Sequence, residues 1–304
     1  MLTIVLLGAS GQLGQALQQD LAALGTVLAP TRLELDLTQV AAVTEWFQNH
    51  QVDLIVNAAA MTDVDGAERN AELCEALNHQ LPATLAAIAK EQHSWLCHFS
   101  TDYVFNGKKT DPYTETDETA PLQQYGRSKV AGENAIVASG CRHLIFRTSW
   151  LYSSRGRNFL TTMMSLAPER QEPFLVVDDQ IGAPTSAIEL ADAVVSIFSK
   201  IFAMSQEEAS AASGIYHLTA AGECSWYEFA NAIFHYAVDE ELLAQLPEVL
   251  PTDSQSLNRA AKRPANSKLD HNKVTAAFGI SLTPWQQQLT ECLQLIKKQA
   301  KTGK

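Results

Sequence analysis

The sequence predicts an α/β protein, a doubly wound parallel sheet with a smaller unit built on its carboxyl edge. Three observations predict it. An apolar segment, residues 3–7, runs straight into the glycine-rich turn Gly8-Ala9-Ser10-Gly11-Gln12-Leu13-Gly14. Strand-like and helix-like segments then alternate through the first 150 residues, as they do where crossover helices join parallel strands. Late in that alternation, Tyr125-Gly126-Arg127-Ser128-Lys129 sets a tyrosine and a lysine four residues apart, on one face of a helix.

The elements follow in order from periodicity and capping signals. After the strand at 3–7, apolar residues at helical spacing predict a helix over 12–24. A second strand is expected at 26–29 and a third short apolar segment at 33–37. Thr38 reads as the N-cap of a helix running to about residue 49. A strand at 53–57 precedes a helical stretch over 64–91, interrupted near Pro82. Strands at 95–100 and 143–148 bracket a loop and the helix that carries Tyr125 and Lys129. Residues 1–150 are therefore expected to form a dinucleotide-binding domain of Rossmann type.

Beyond Trp150 the loops lengthen. Strand-like pieces are expected at 173–177 and 214–218, and helices at 185–202, 225–236 and 284–298. Residues 204–213, rich in Ala, Ser and Glu, read as an exposed connector. The proline-punctuated segment 246–266 reads as a surface loop that reaches the site. Residues 151–304 are expected to be mainly a substrate-binding subdomain, with some segments returning to the sheet.

The composition is that of an ordinary globular chain, 46% apolar and 18% charged over 304 residues. A formal net charge of -12 argues against general affinity for nucleic acid or anionic membranes. It leaves room for a local cluster of cations around a phosphorylated substrate. No apolar run approaches the ~20 residues of a membrane span. The first residues lack a basic n-region and a small-residue cleavage site, so they read as a strand rather than a signal peptide. Cys74, Cys97, Cys141, Cys224 and Cys292 are scattered and form no CxxC pair, which suits a reducing cytoplasm.

Gly8, Gly11 and Gly14 divide the work of a phosphate-binding turn. Gly8 permits the tight turn off the strand, Gly11 lets the backbone approach phosphate, and Gly14 allows close helix packing. An isolated match would be an incidental turn; its place directly after a buried N-terminal strand favours the cofactor reading. Asn57-Ala58-Ala59-Ala60 ends the next strand in small side chains, against which a cofactor can lie. Arg32 is a candidate partner for a 2′-phosphate, favouring NADPH over NADH, with a solvated surface arginine as the competing reading.

The catalytic expectation rests on three residues. A ketone that accepts hydride gathers negative charge on oxygen and needs a proton, which Tyr125 can deliver. Lys129 would lower the tyrosine's pKa and donate hydrogen bonds to the nicotinamide ribose. Thr101, just past a strand end, can donate its hydroxyl to the carbonyl oxygen; alone it would read as a strand terminator.

Taken in series, these segments resemble the extended short-chain dehydrogenase/reductases, and more closely the dTDP-4-dehydrorhamnose reductases. The likeness runs through 8–14, 56–62, 100–107, 125–133, 147–152, 179–185, 214–218 and 263–269, across nearly the whole chain. It implies reduction of the 4-keto group of dTDP-4-dehydro-L-rhamnose to dTDP-L-rhamnose, with Tyr125 as proton donor. It also implies that Ser10, Gly11, Gln12, Leu13, Asp36, Leu37, Ala60, Met61 and Thr62 line the cofactor. From spacing alone, Asp36 reads equally well as a residue capping the helix after Thr38. Asp102 and Trp150 look like substrate contacts, and Arg263 is placed to pair with the nucleotide diphosphate. NADPH is the implied cofactor, with NADH a second candidate.

In one respect the chain departs from some relatives, which dimerise through a magnesium ion held by glutamates. The matching positions here are Ala16, Ile188 and Gln286, none a carboxylate, so the sequence predicts no metal site and a monomer. Two other functions remain open. One is a regulatory subunit that binds nicotinamide without catalysis, like the methionine adenosyltransferase beta subunit; the intact Thr101, Tyr125 and Lys129 argue against it. The other is reduction of a different nucleotide keto-sugar. Elimination chemistry is disfavoured, because Tyr103 stands where a dehydratase would place a second acid after Asp102.

Overall fold

The computed structural model describes residues 1–302. Its centre is a sheet of six parallel strands. Five come from the first half: β1 (Leu2–Leu7), β2 (Gly25–Leu28), β3 (Leu54–Asn57), β4 (Trp95–Thr101) and β5 (Arg142–Thr148). The sixth, Gly214–His217, comes from the second half and pairs with the outer side of β5. The spatial order is Gly214–His217, β5, β4, β3, β1, β2. It reverses direction between β1 and β3, and such a switch point opens a crevice at the carboxyl ends of the strands. β3 and β4 are buried along their whole length, as strands covered on both faces must be.

One face of the sheet packs on the helices Gln12–Leu21 and Ala187–Ala203, with Leu13, Leu17 and Leu21 meeting Leu190, Val194 and Ile197 in one cluster. The other face packs on Val40–Gln48, Leu81–Glu91 and Gln124–Ser139. A second apolar cluster holds the smaller unit together. It joins Phe159–Leu166, Trp226–Asp239 and Trp285–Thr302 around Phe229, Phe234 and Leu289.

Several boundaries depart from the sequence reading for local reasons. The helix expected from Thr38 begins at Val40, and its N-cap Gln39 makes no side-chain cap. The Thr38 hydroxyl and amide instead donate to Asp36 Oδ1 in a local turn. Residues 33–37 form no strand; Leu33 is fully exposed there, whereas Leu35 is buried. The stretch over 64–91 is broken at Asn70, which caps Ala71–Glu75 by accepting from the Leu73 amide, and its α-helical course is interrupted again just before Pro82. Pro82 sits at the start of Leu81–Glu91, where a proline needs no amide hydrogen, directly after the π-turn Ala76–Gln80. The expected connector at 204–213 contains the helix Gln206–Ala211, nucleated by a capping box between Ser205 and Glu208. Within 246–266, Val249–Thr252 forms a strand paired with Phe174–Val177. No described helix is long and apolar enough to cross a membrane.

Candidate active site

The glycine turn is shaped by contacts that only hydrogen side chains permit. Gly8 has φ +80°, and a Cβ there would lie 2.6 Å from the Ala59 amide nitrogen. A Cβ on Gly14 would lie 2.1 Å from the Gly8 carbonyl oxygen, so the first helix packs directly on the turn. Gly11, the N-cap of that helix, offers no side-chain cap, and the first turn carries no acid. Its amide hydrogens and the positive end of its dipole are therefore free for an anion.

A cavity of about 620 Å³ opens beside this turn. The sequence-predicted Ser10, Gly11, Gln12, Leu13, Ala58, Ala60, Thr62, Thr101, Asp102, Tyr125, Lys129 and Trp150 all line it. Gly8, Arg32, Asp36, Leu37, Met61 and Arg263 do not. Gly8 shapes the turn from behind. Arg32 is exposed and close enough to Asp36 to lower its carboxyl, although Thr38 is the main cause of that shift. Met61 is held by its backbone, since Asn78 accepts from its amide at 2.9 Å and donates to its carbonyl at 3.1 Å. Arg263 is ion-paired with Asp65 at 2.7 Å and lines a separate cavity of about 370 Å³ with Arg259, Lys262 and Gln180.

Thr101 stands at the end of β4. Its hydroxyl donates to Asp102 Oδ1 at 2.9 Å and accepts from the Tyr103 amide. Burial raises the Asp102 carboxyl to about 6, against the lowering pull of Ser267 and Thr101. Burial likewise lifts the half-buried Tyr125 phenol above its ordinary value, and a hydrogen bond with Thr101 draws it back.

Beside burial, the groups acting on the Tyr125 phenol are Thr101, Asp102 and Cys74. The buried Lys129 Nζ donates to the Phe99 carbonyl and faces His98 Nε2 at 3.2 Å. Burial pulls this amine down to about 8, opposed by Glu133 and Cys74.

Other members of the site went unseen in the sequence. Glu133, one turn beyond Lys129, makes a bidentate ion pair with Arg147 at 2.6 and 3.0 Å, both side chains 3% exposed. His217 Nδ1 faces the Tyr113 carbonyl, which leaves Nε2 to accept from Arg147. The repeat Tyr125, Lys129, Glu133 was the available signal, because i, i+4, i+8 keeps one helix face. Trp226 stacks on Trp150 with ring centroids 3.8 Å apart, and both line the cavity. Trp150 has φ +46°, and a Cβ on Gly182 would strike its ring at 2.6 Å, so that glycine makes room for it. Arg155 and Arg157 also line the cavity, on a loop whose Ser153 hydroxyl donates to Gln12 Oε1.

Four buried polar atoms of the cavity wall have no partner among the described residues: Ser100 Oγ, Asp102 Oδ2, Thr148 Oγ1 and Trp150 Nε1. Buried polar atoms without partners are costly, and their convergence on one cavity fits a polar ligand. Together with the uncapped glycine turn, they fit a dinucleotide with a second polar molecule beside it.

This fold and site define a dinucleotide-binding protein of the extended short-chain dehydrogenase/reductase class. A family model described as RmlD substrate binding domain matches residues 2–298, and the chain belongs to that family. It is similar to the dTDP-4-dehydrorhamnose reductase of Burkholderia thailandensis, 40% identical over 294 residues covering 96% of this chain and 98% of the relative. Among solved structures, a dTDP-4-dehydrorhamnose reductase from Clostridium acetobutylicum superposes with a TM-score of 0.88 at 34% identity, covering 97% of this chain and 99% of the other. The Bacillus anthracis dTDP-4-dehydrorhamnose reductase, solved in complex with NADP, gives 0.86 at 32% identity over the same shares.

Proposed function

We propose that this chain is an NADPH-dependent reductase that converts dTDP-4-dehydro-L-rhamnose to dTDP-L-rhamnose, and so serves dTDP-rhamnose biosynthesis. The observation that carries this reading is the meeting of Thr101, Tyr125 and Lys129 with the glycine turn in one cavity. The relatives named above support it, as does the structure with NADP among them. Residues 1–150 hold the cofactor in this reading, and residues 151–304 mainly hold the sugar nucleotide.

Bound NADPH supplies a hydride to carbon 4 of the sugar. The uncapped amides after Gly11 hold its pyrophosphate, while Ala58, Ala60 and Thr62 leave room along the strand ends. Arg32 faces the 2′-phosphate in this reading, with Asp36 and Leu37 near the adenine end; NADH is the weaker cofactor. As charge gathers on the carbonyl oxygen, Tyr125 gives up its phenolic proton there and the Thr101 hydroxyl, turning from Asp102, donates its proton to that oxygen. Asp102 and Trp150 contact the sugar, and Arg263 lies toward the nucleotide.

The test is oxidation of NADPH, followed by absorbance, in the presence of dTDP-4-dehydrorhamnose. Oxidation that depends on the sugar nucleotide, and is slower with NADH, is expected. A protein that binds NADPH yet leaves it unoxidised overturns the assignment, in favour of another keto-sugar or a regulatory role.

A monomer in the cytoplasm completes the proposal. Ala16, Ile188 and Gln286 offer no carboxylate to a bridging cation, and all five cysteines are free thiols. A dimer mass by light scattering would overturn the monomer.

A further inference from the structure

Behind Lys129 two buried polar side chains, His98 and Asn57, continue a hydrogen-bonded chain from β4 to β3. Asn57 and His98 are register partners on β3 and β4, and their side chains meet with Nδ2 and Nδ1 3.1 Å apart. His98 Nε2 then meets Lys129 Nζ. Asn57, His98 and Lys129 are each 1% exposed or less.

The directions of these hydrogen bonds follow from one fixed point. The Ala59 backbone amide donates to Asn57 Oδ1 at 3.2 Å, so the carboxamide oxygen must face Ala59 and the NH2 must face His98. His98 Nδ1 is then an acceptor and carries no proton. A neutral imidazole so placed keeps its hydrogen on Nε2, which points at Lys129. Burial and the neighbouring lysine both hold the ring neutral. An ammonium has donors only, so Nε2–H opposite it is a clash of two donors. An amine has a lone pair, which accepts the Nε2 hydrogen while one N–H still serves the Phe99 carbonyl.

We propose that His98 is a positioning residue for the reduction: Asn57 fixes its tautomer, and its Nε2–H favours the amine form of Lys129 over the ammonium. Lys129 is thereby a willing proton donor near neutral pH rather than a permanent cation. That suits a site whose phenol must regain a proton after every turnover. Glu133 on the same helix and Cys74 on Ala71–Glu75 act in the opposite sense, raising the lysine. The Glu133 charge is already shared with Arg147, which leaves the tautomer of His98 as a second control on Lys129. Asn57 also ties this control to the dinucleotide turn, because the Ala59 amide it holds lies against Gly8.

The inference rests on the reductase reading for its catalytic meaning, but its first test needs no substrate. Long-range 1H–15N spectra of the histidine-labelled protein distinguish a bare ring nitrogen from a protonated one, and His98→Gln assigns the signal by subtraction. A bare Nδ1 and protonated Nε2 at neutral pH are expected; protonated Nδ1, or an imidazolium, overturns the proposal. Asn57→Asp supplies a carboxylate that accepts from both Ala59 and His98, so it should move the ring proton to Nδ1. With Nε2 then an acceptor, the ammonium is favoured, and the alkaline limb of kcat should move up by about one pH unit, a tenfold change in the lysine's proton affinity. KM for the sugar nucleotide should not change. A folded Asn57→Asp protein with an unchanged tautomer or an unmoved limb overturns the proposal. If that variant does not fold, the wild-type spectrum still decides.

Discussion

Asp102 sits in the catalytic cavity as a carboxyl that folding disfavours in its charged form, and replacing it by asparagine should reveal the cost. Its carboxyl rises from 3.8 to about 6, and burial is the chief cause. A group whose pKa is raised in the folded state adds stability below its unfolded value, and that advantage is lost as the pH climbs through the folded value. The shift of roughly two pH units corresponds to about 3 kcal/mol against folding at pH 8, of which about 1 kcal/mol accrues between pH 5 and 8. The substituted asparagine would keep an oxygen for the Thr101 hydroxyl while leaving its NH2 in the place of the unpartnered Oδ2, a loss that does not vary with pH. The informative quantity is therefore the change with pH. Urea unfolding of wild type and Asp102→Asn at pH 5 and pH 8 should show the variant gaining about 1 kcal/mol on the wild type between the two. A stability difference that does not change with pH, or one that moves against the variant at pH 8, would refute the reasoning.

Three further substitutions test separate parts of the structure. Tyr125→Phe should abolish turnover and leave NADPH binding nearly intact, as cofactor fluorescence titration would show; near-normal turnover would remove Tyr125 as the acid. Gly14→Ala forces a methyl to within 2.1 Å of the Gly8 carbonyl and should weaken both folding and NADPH binding, read by thermal unfolding with and without cofactor. Arg147→Met strands the Glu133 carboxylate in the interior and should cost about 3–5 kcal/mol in denaturant unfolding, with Glu133→Gln in the same background recovering a part.

The sheet was legible because each buried strand is a short apolar run and each crossover helix repeats its apolar positions; β4 is apolar over most of its length and buried throughout. The glycine turn, Thr101 and Tyr125 were legible because their chemistry lies in short motifs at the strand ends and on one helix face. The helix boundaries failed where a side chain found a nearer partner. Thr38 bonds Asp36 instead of capping, and Asn70 divides a stretch whose apolar pattern runs on past it. Partners distant in sequence were invisible for another reason. His98 lies inside a strand that reads as apolar, and its neighbours Asn57 and Lys129 are 41 and 31 residues away. Trp226 meets Trp150 only once the smaller unit has folded back over the sheet edge. Arg263 is the reverse case: a short motif pointed to it, whereas its ion pair with Asp65 and the second cavity it lines come from residues distant in sequence.

The strand Gly214–His217 closes the sheet against β5, although a long stretch of the second half comes between them in the chain. Ala187–Ala203, also from the second half, packs into the same cluster as the first helix. A fragment ending near residue 150 would thus expose the edge of β5 and uncover the part of one sheet face that Ala187–Ala203 covers, an invitation to aggregation. In the intact chain the same interleaving couples the two ends of the reaction. A molecule that tightens either half raises the free energy of opening both, so sugar nucleotide alone should slow amide exchange in β1 as well as around its own pocket.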